Sequence, residues 1–255
     1  MADRPQQTRS QLGMGRVLAL IFVPPAILMA FYLLLGHQPT VQAAIPSQLL
    51  FFLLALAILF PIELAVVLIA SKKEYGSLSL KSAFTLHQPL AWWKVALFSV
   101  LPWAFMGLMS VTLLPLESAF WAPVSDRLMD LLPAYFDWTN LDILAQFPRD
   151  VLLLTVGVFV VLNVFVGPII EELFFRGYLT ARISRYGDLA PVMMTVFFSL
   201  YHYWLPFHNL FRIVGLLPAF YLTWRKQNIY IAIVVHCMAN LVSTLGFIAA
   251  VQAFL

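Results

Sequence analysis

Apolar runs of membrane-spanning length recur along this chain, and that recurrence limits what it can fold into. About twenty apolar residues in a helix match the hydrocarbon thickness of a bilayer. Lipid offers no water to backbone N–H and C=O groups, so a spanning segment must satisfy them internally. The runs fall at about 17–35, 48–70, 90–114, from 151 into a charged core segment, then 190–204, 210–224 and 229–250. They predict an all-α, polytopic membrane protein with seven or eight transmembrane helices and a polar site inside the bundle. Composition agrees: 62% of residues are hydrophobic and 11% charged, which excludes an ordinary soluble domain. The net charge of +3 gives no reason to expect a nucleic-acid partner. A single cysteine, Cys237, excludes an internal disulfide framework and a Cys-rich metal site.

The chain divides into three parts. Residues 1–16 are polar and carry Arg4, Arg9 and Arg16, as a cytoplasmic N-terminal segment would. The run after them is long and has no small-x-small site behind it, which favours a span over a signal peptide. Residues 17–150 hold the N-terminal transmembrane helices and a segment, 115–149, punctuated by Pro115, Pro123, Pro133 and Pro148. That segment reads as a long acidic loop with short interfacial helices, because Trp121, Tyr135 and Trp138 suit the headgroup level. Residues 151–255 form the expected catalytic transmembrane core. With the N-terminus in the cytoplasm, Lys72, Lys73, Lys81, Arg182, Arg185, Arg225 and Lys226 also fall on the cytoplasmic side, as the positive-inside rule requires. Compact loops point to a prokaryotic plasma membrane.

Three polar patterns interrupt the apolar runs: Glu171-Glu172-x-x-x-Arg176, Phe198-x-x-x-His202 and His236-x-x-x-Asn240. Residues four apart share a helical face. Glu171 lies 14 positions before Arg185, His202 14 after Asp188 and His236 10 after Lys226. At about 1.5 Å per residue these lie roughly 21, 21 and 15 Å from one membrane face, so three helices bring them to a similar depth. Gly167-Pro168 suggests a kink or break just before Glu171. Each pattern alone has a structural reading. Glu172–Arg176 is an ion pair, His202 a packing histidine among aromatics, and His236–Asn240 interhelical glue. Their joint occurrence at one depth argues for hydrolysis instead. A carboxylate withdrawn from bulk water can act as general base, and His and Asn donors can stabilise an oxyanion. Glu171, His202 and His236 would equally serve as a Zn²⁺ ligand set. Glu63 lies in mid-span, with Lys94 and Arg212 as candidate partners.

With EELFFR, FSLYH and HCMAN in this order and at these separations, the sequence from about 167 to 244 resembles the CAAX protease and bacteriocin-processing (Abi) family. That family consists of intramembrane endopeptidases and includes the type II CAAX prenyl endopeptidases. The resemblance implies that Glu171 activates a water which His202 helps to position, and that His236 and Asn240 form the oxyanion site. Glu172, Arg176 and Phe198 would support them. It implies cleavage of a membrane-associated or lipidated peptide or protein near the cytoplasmic leaflet, by a glutamate-activated water or by a metalloprotease mechanism. Relatives of the prenyl endopeptidases have eight helices. An eighth here would hide in residues 116–148, or arise if Gly167-Pro168 divided a span. Two other function classes compete: a non-catalytic immunity or chaperone-like module on the same fold, and a proton-coupled transporter. The absence of an inverted repeat argues against the transporter.

Overall fold

Helix is the backbone form that apolar runs of this length take in lipid, and the computed structural model, which describes residues 10–255, is built of helices. They are α1 (Met14–Gly36), α2 (Pro39–Ala44), α3 (Ser47–Tyr75), α4 (Trp92–Asp130), α5 (Arg149–Arg182), α6 (Leu189–Tyr201), α7 (Asn209–Lys226) and α8 (Tyr230–Val251). Among the described residues the β-structure is one isolated bridge, His87 to Asn228. Five helices, α1, α3, α4, α5 and α8, are long and apolar enough to cross a membrane. With the shorter α6 and α7 they fall on the apolar runs read from the sequence. The chain is an integral, multi-pass all-α membrane protein. Arg4 and Arg9, and with them most of the 1–16 segment, lie outside the described residues.

The segment 115–149 differs from the loop expected. Helix α4 continues through Pro102, Pro115 and Pro123 to Asp130, a length of 39 residues. A proline removes one N–H and one hydrogen bond, and neighbouring groups in a transmembrane helix re-satisfy what it frees. The loop proper is 131–148, and it holds two short 3₁₀ turns, Ala134–Phe136 and Leu141–Gln146. It is tied down on the α1 side: Tyr135 donates to the Ile45 carbonyl at 3.0 Å, and Trp138 Nε1 donates to the Tyr32 hydroxyl at 2.9 Å.

Gly167-Pro168 does not divide its span either. Helix α5 runs through both residues, and a π-helical stretch at Val160–Val166 precedes them. The wider spiral accommodates a proline that has no N–H to give. A second π-helical stretch, Leu173–Leu179, follows the two glutamates.

Helix α6 has 13 residues, about 20 Å of rise, and falls short of the bilayer core on its own. The chain leaves it at His202, turns within residues 202–208 and returns along α7. Irregular backbone at membrane depth needs protein partners for its carbonyls. Arg212 supplies them, since its Nη2 donates to the Leu205 carbonyl at 2.6 Å and reaches the Ser199 carbonyl at 3.5 Å. Glu117 of α4 caps the start of α7 by accepting the Leu210 and Phe211 N–H groups, each at 2.7 Å.

At the opposite end, the 76–91 connection lies across α5. Thr85 donates to the Gly177 carbonyl at 2.6 Å, and a Cβ at Gly177 would stand 2.2 Å from the Ala83 carbonyl oxygen. No rotamer change relieves a clash with backbone. Gly177→Ala is therefore expected to cost about 1–3 kcal/mol, the usual range for overpacking. Thermal unfolding in detergent should show a midpoint several degrees lower. Gly157→Ala, whose Cβ meets nothing within 4 Å, is the matched control and should unfold like the wild type.

Candidate active site

The polar residues of α5 form two groups one position apart. Glu172 and Arg176 are buried behind the helix surface, at 0% and 2% exposure. Arg176 Nη1 donates to Glu172 Oε1 at 3.0 Å, and the guanidinium lies over the rings of Phe220 and Phe198, at 3.1 and 4.1 Å from their centroids. The aromatic faces lend it electron density, and among the described residues Glu172 is its ion-pair partner. The same Glu172 oxygen accepts a hydrogen bond from His236 Nδ1 at 2.9 Å, which joins α5 to α8. With Nδ1 turned to Glu172, the Nε2 edge of His236 faces Glu171 Oε2 at 3.7 Å, too long for a hydrogen bond. Glu171 turns the other way from Glu172 and lines a cavity of about 540 Å³.

Helix α6 delivers the second histidine where it unwinds. His202 Nδ1 is 2.7 Å from the Phe198 carbonyl oxygen. A carbonyl only accepts, so Nδ1 carries the proton and Nε2 is the ring's available nitrogen. His202 lines the same cavity, and so do His236, Asn240 and Phe198. Phe198 packs edge-on against both histidines, with ring centroids 4.7 Å from His202 and 5.6 Å from His236. The structure thus gathers Glu171, Phe198, His202, His236 and Asn240 at one cavity, with Glu172 and Arg176 bracing it from behind. Asn240 donates from Nδ2 to the Asn163 carbonyl at 2.8 Å. Its amide nitrogen has a second N–H.

The Zn²⁺ set named above does not close into a ligand cage. Among the described residues no group of three or more His, Cys, Asp and Glu side chains is placed to hold a metal ion.

Four neighbours of the site, Glu63, Tyr201, Asn163 and Arg212, were not among the predicted site residues. Glu63, fully buried in α3, pairs with neither Lys94 nor Arg212; its Oε1 accepts a 2.7 Å hydrogen bond from the Tyr201 hydroxyl, while its Oε2 has no hydrogen-bond partner among the described residues. Glu171 flanks that same hydroxyl. Tyr201, directly before His202, therefore sits between two carboxylates. Asn163 supports Asn240, and its own amide donates to Thr244 at 3.0 Å. Arg212 lines the cavity. Glu63 had a signal, an ionisable residue in mid-span. For Tyr201 and Asn163 a polar group beside the three patterns was all the sequence offered.

Residues 153–242, about a third of the chain, match the family described as type II CAAX prenyl endopeptidase Rce1-like. The match contains all seven residues of the three patterns. It bears out the resemblance read from those patterns and supports a CAAX-type intramembrane endopeptidase in general, hence a peptidase. No curated protein and no solved structure gives a significant match.

The two glutamates should behave differently when truncated. Glu172→Ala strands Arg176 as a buried, uncompensated cation and is expected to destabilise the fold by about 3–5 kcal/mol. Glu171→Ala opens onto the cavity and should leave the unfolding midpoint close to that of the wild type. Thermal unfolding of both purified variants in one detergent checks the contrast.

Proposed function

We propose that this protein is an intramembrane endopeptidase in which Glu171 activates the attacking water. The observation that carries the reading is the meeting of Glu171, His202, His236 and Asn240 at one cavity inside the membrane region. A water held between Glu171 and the open Nε2 of His202 gives its proton to the Glu171 carboxylate as its oxygen adds to the peptide carbonyl. The carbonyl oxygen becomes an oxyanion. His236, when its Nε2 carries a proton, and the second N–H of Asn240 donate to it. Collapse of the tetrahedral intermediate breaks the C–N bond. The proton on Glu171 passes to the leaving amine, so the products are a new carboxyl group and a new amine, with the glutamate restored.

Glu172 and Arg176 have a supporting part. Glu172 fixes the tautomer and tilt of His236, and Arg176 offsets the charge of Glu172 where water cannot. The cavity wall is largely apolar, built from residues such as Phe51, Leu59, Trp103, Met106 and Phe159, which suits a membrane-associated or lipidated peptide. Basic residues at 72, 73, 182, 185, 225 and 226 support a cytoplasmic side for these helix ends and for the N-terminus. We take the membrane to be a prokaryotic plasma membrane. The scheme is written with the chain's own residues alone, Glu171 as base and His202 as its partner on the water.

The test uses the full chain in detergent, with fluorogenic lipid-tailed peptides. Glu171→Ala is expected to lower kcat by about 10²–10⁴-fold, the usual worth of a general base. A strong Zn²⁺ chelator should leave the wild-type rate unchanged. Equal rates for wild type and variant would remove Glu171 from the chemistry, and loss of wild-type activity on chelation would replace the scheme with a metal-dependent one.

A further inference from the structure

Three arginines are buried among the described residues, and one of them lacks a carboxylate. Arg176 has Glu172, and Arg182 has Glu74. Arg212, 7% exposed in the first turn of α7, has no ion-pair partner among the described residues. Its hydrogen bonds all go to neutral acceptors: Nε to Ser199 Oγ at 3.4 Å, and Nη2 to the Leu205 carbonyl, Asn209 Oδ1 and the Ser199 carbonyl at 2.6, 3.2 and 3.5 Å. Nη1, with two N–H donors, makes no hydrogen bond to any described residue. Glu117 is the nearby carboxylate and offsets part of the charge through space, but it is turned to the Leu210 and Phe211 N–H groups and forms no ion pair with Arg212 among the described residues. An unpaired cation withdrawn from water costs several kcal/mol, and clamping neutral carbonyls does not require one.

The charge is turned toward space a ligand can fill. Arg212 lines the cavity that holds Glu171, in company with His202, His208 and Phe211. A guanidinium pairs best with a carboxylate, which it can grip through two parallel N–H···O bonds. We propose that Arg212 is a carboxylate-binding subsite at the α7 end of the cavity, and that preferred substrates present a carboxylate there while the scissile bond lies between Glu171 and His202. This rests on the peptidase reading above and adds a specificity to it. The carboxylate belongs either to the substrate's C-terminus or to an acidic side chain.

Three dye-labelled, S-dodecyl-cysteine peptides of one sequence separate these cases: a free C-terminus, an amidated C-terminus, and an amidated C-terminus with glutamate as last residue. Binding is measured to the full-length Glu171→Ala protein in detergent, and cleavage with the wild type. Binding should favour one carboxylate peptide over the plain amide by about 10–100-fold, as expected for a charge-assisted hydrogen bond. Whichever carboxylate peptide binds tighter identifies the source. Adding Arg212→Gln should erase that preference without weakening the amide, and Arg212→Lys should restore part of it. In cleavage by the single Arg212→Gln variant the loss should fall on KM and be confined to the carboxylate peptide. Equal binding of all three peptides would overturn the subsite. So would an equal loss on acid and amide in Arg212→Gln, which is the signature of a backbone clamp. A carboxylate preference in binding with no cleavage by the wild type would sink the peptidase reading and leave the subsite standing.

Discussion

One carboxylate oxygen, Oε1 of Glu172, takes hydrogen bonds from Arg176 on its own helix and from His236 on α8. Much of the site's order follows from that shared acceptor. In a low-dielectric interior an unpaired guanidinium or carboxylate would be costly, so the three groups hold one another in place. Because His236 gives Nδ1 to Glu172, its Nε2 must face Glu171. Because Glu172 faces α8, Glu171, one residue earlier and about 100° around the spiral, faces the cavity. The pairing that looks structural therefore sets the orientation of the pair that looks chemical.

The polar patterns were legible because charges in an apolar run stand out and four-residue spacing fixes a face. Their convergence was readable as depth, through rise per residue counted from the basic helix ends. The extent of α4 was not legible. Pro115 and Pro123 together with acidic side chains mimic a loop, yet the helix continues through both to Asp130, since each proline costs it only a local hydrogen bond. Gly167-Pro168 misled for a related reason, since the π-helical stretch before it absorbs the proline. Glu63 was visible as an anomaly, but its partner was not. The sequence offers cations, Lys94 and Arg212, whereas the fold supplies the neutral hydroxyl of Tyr201. Pairing across 138 positions depends on which helices pack together, and periodicity carries no such information.

Between α6 and α7 lies a half-exposed turn, residues 202–208, among helices of membrane-spanning character, where backbone polar groups are hard to satisfy. His202 sits at its first position. The helix must end there for the ring to reach the cavity, and the carbonyls this frees are taken up by Arg212, while Ser199 Oγ donates to the Asn209 carbonyl at 3.0 Å. The turn is thus a structural liability held by polar side chains that themselves border the site. The hydrogen bonds that hold the turn lie along the border of the site.

The two π-helical stretches of α5 bracket Gly167–Glu172, the segment that carries both glutamates. Each acts as a one-residue surplus in an otherwise regular spiral, and one residue is worth about 100° of rotation. The bracketed segment is in effect an inset, phased independently of the helix above and below it. Glu171 can then be aimed at the cavity while the flanking turns keep their own packing against α3 and α8. The phase of this segment is set by the number of residues between its ends rather than by any side chain.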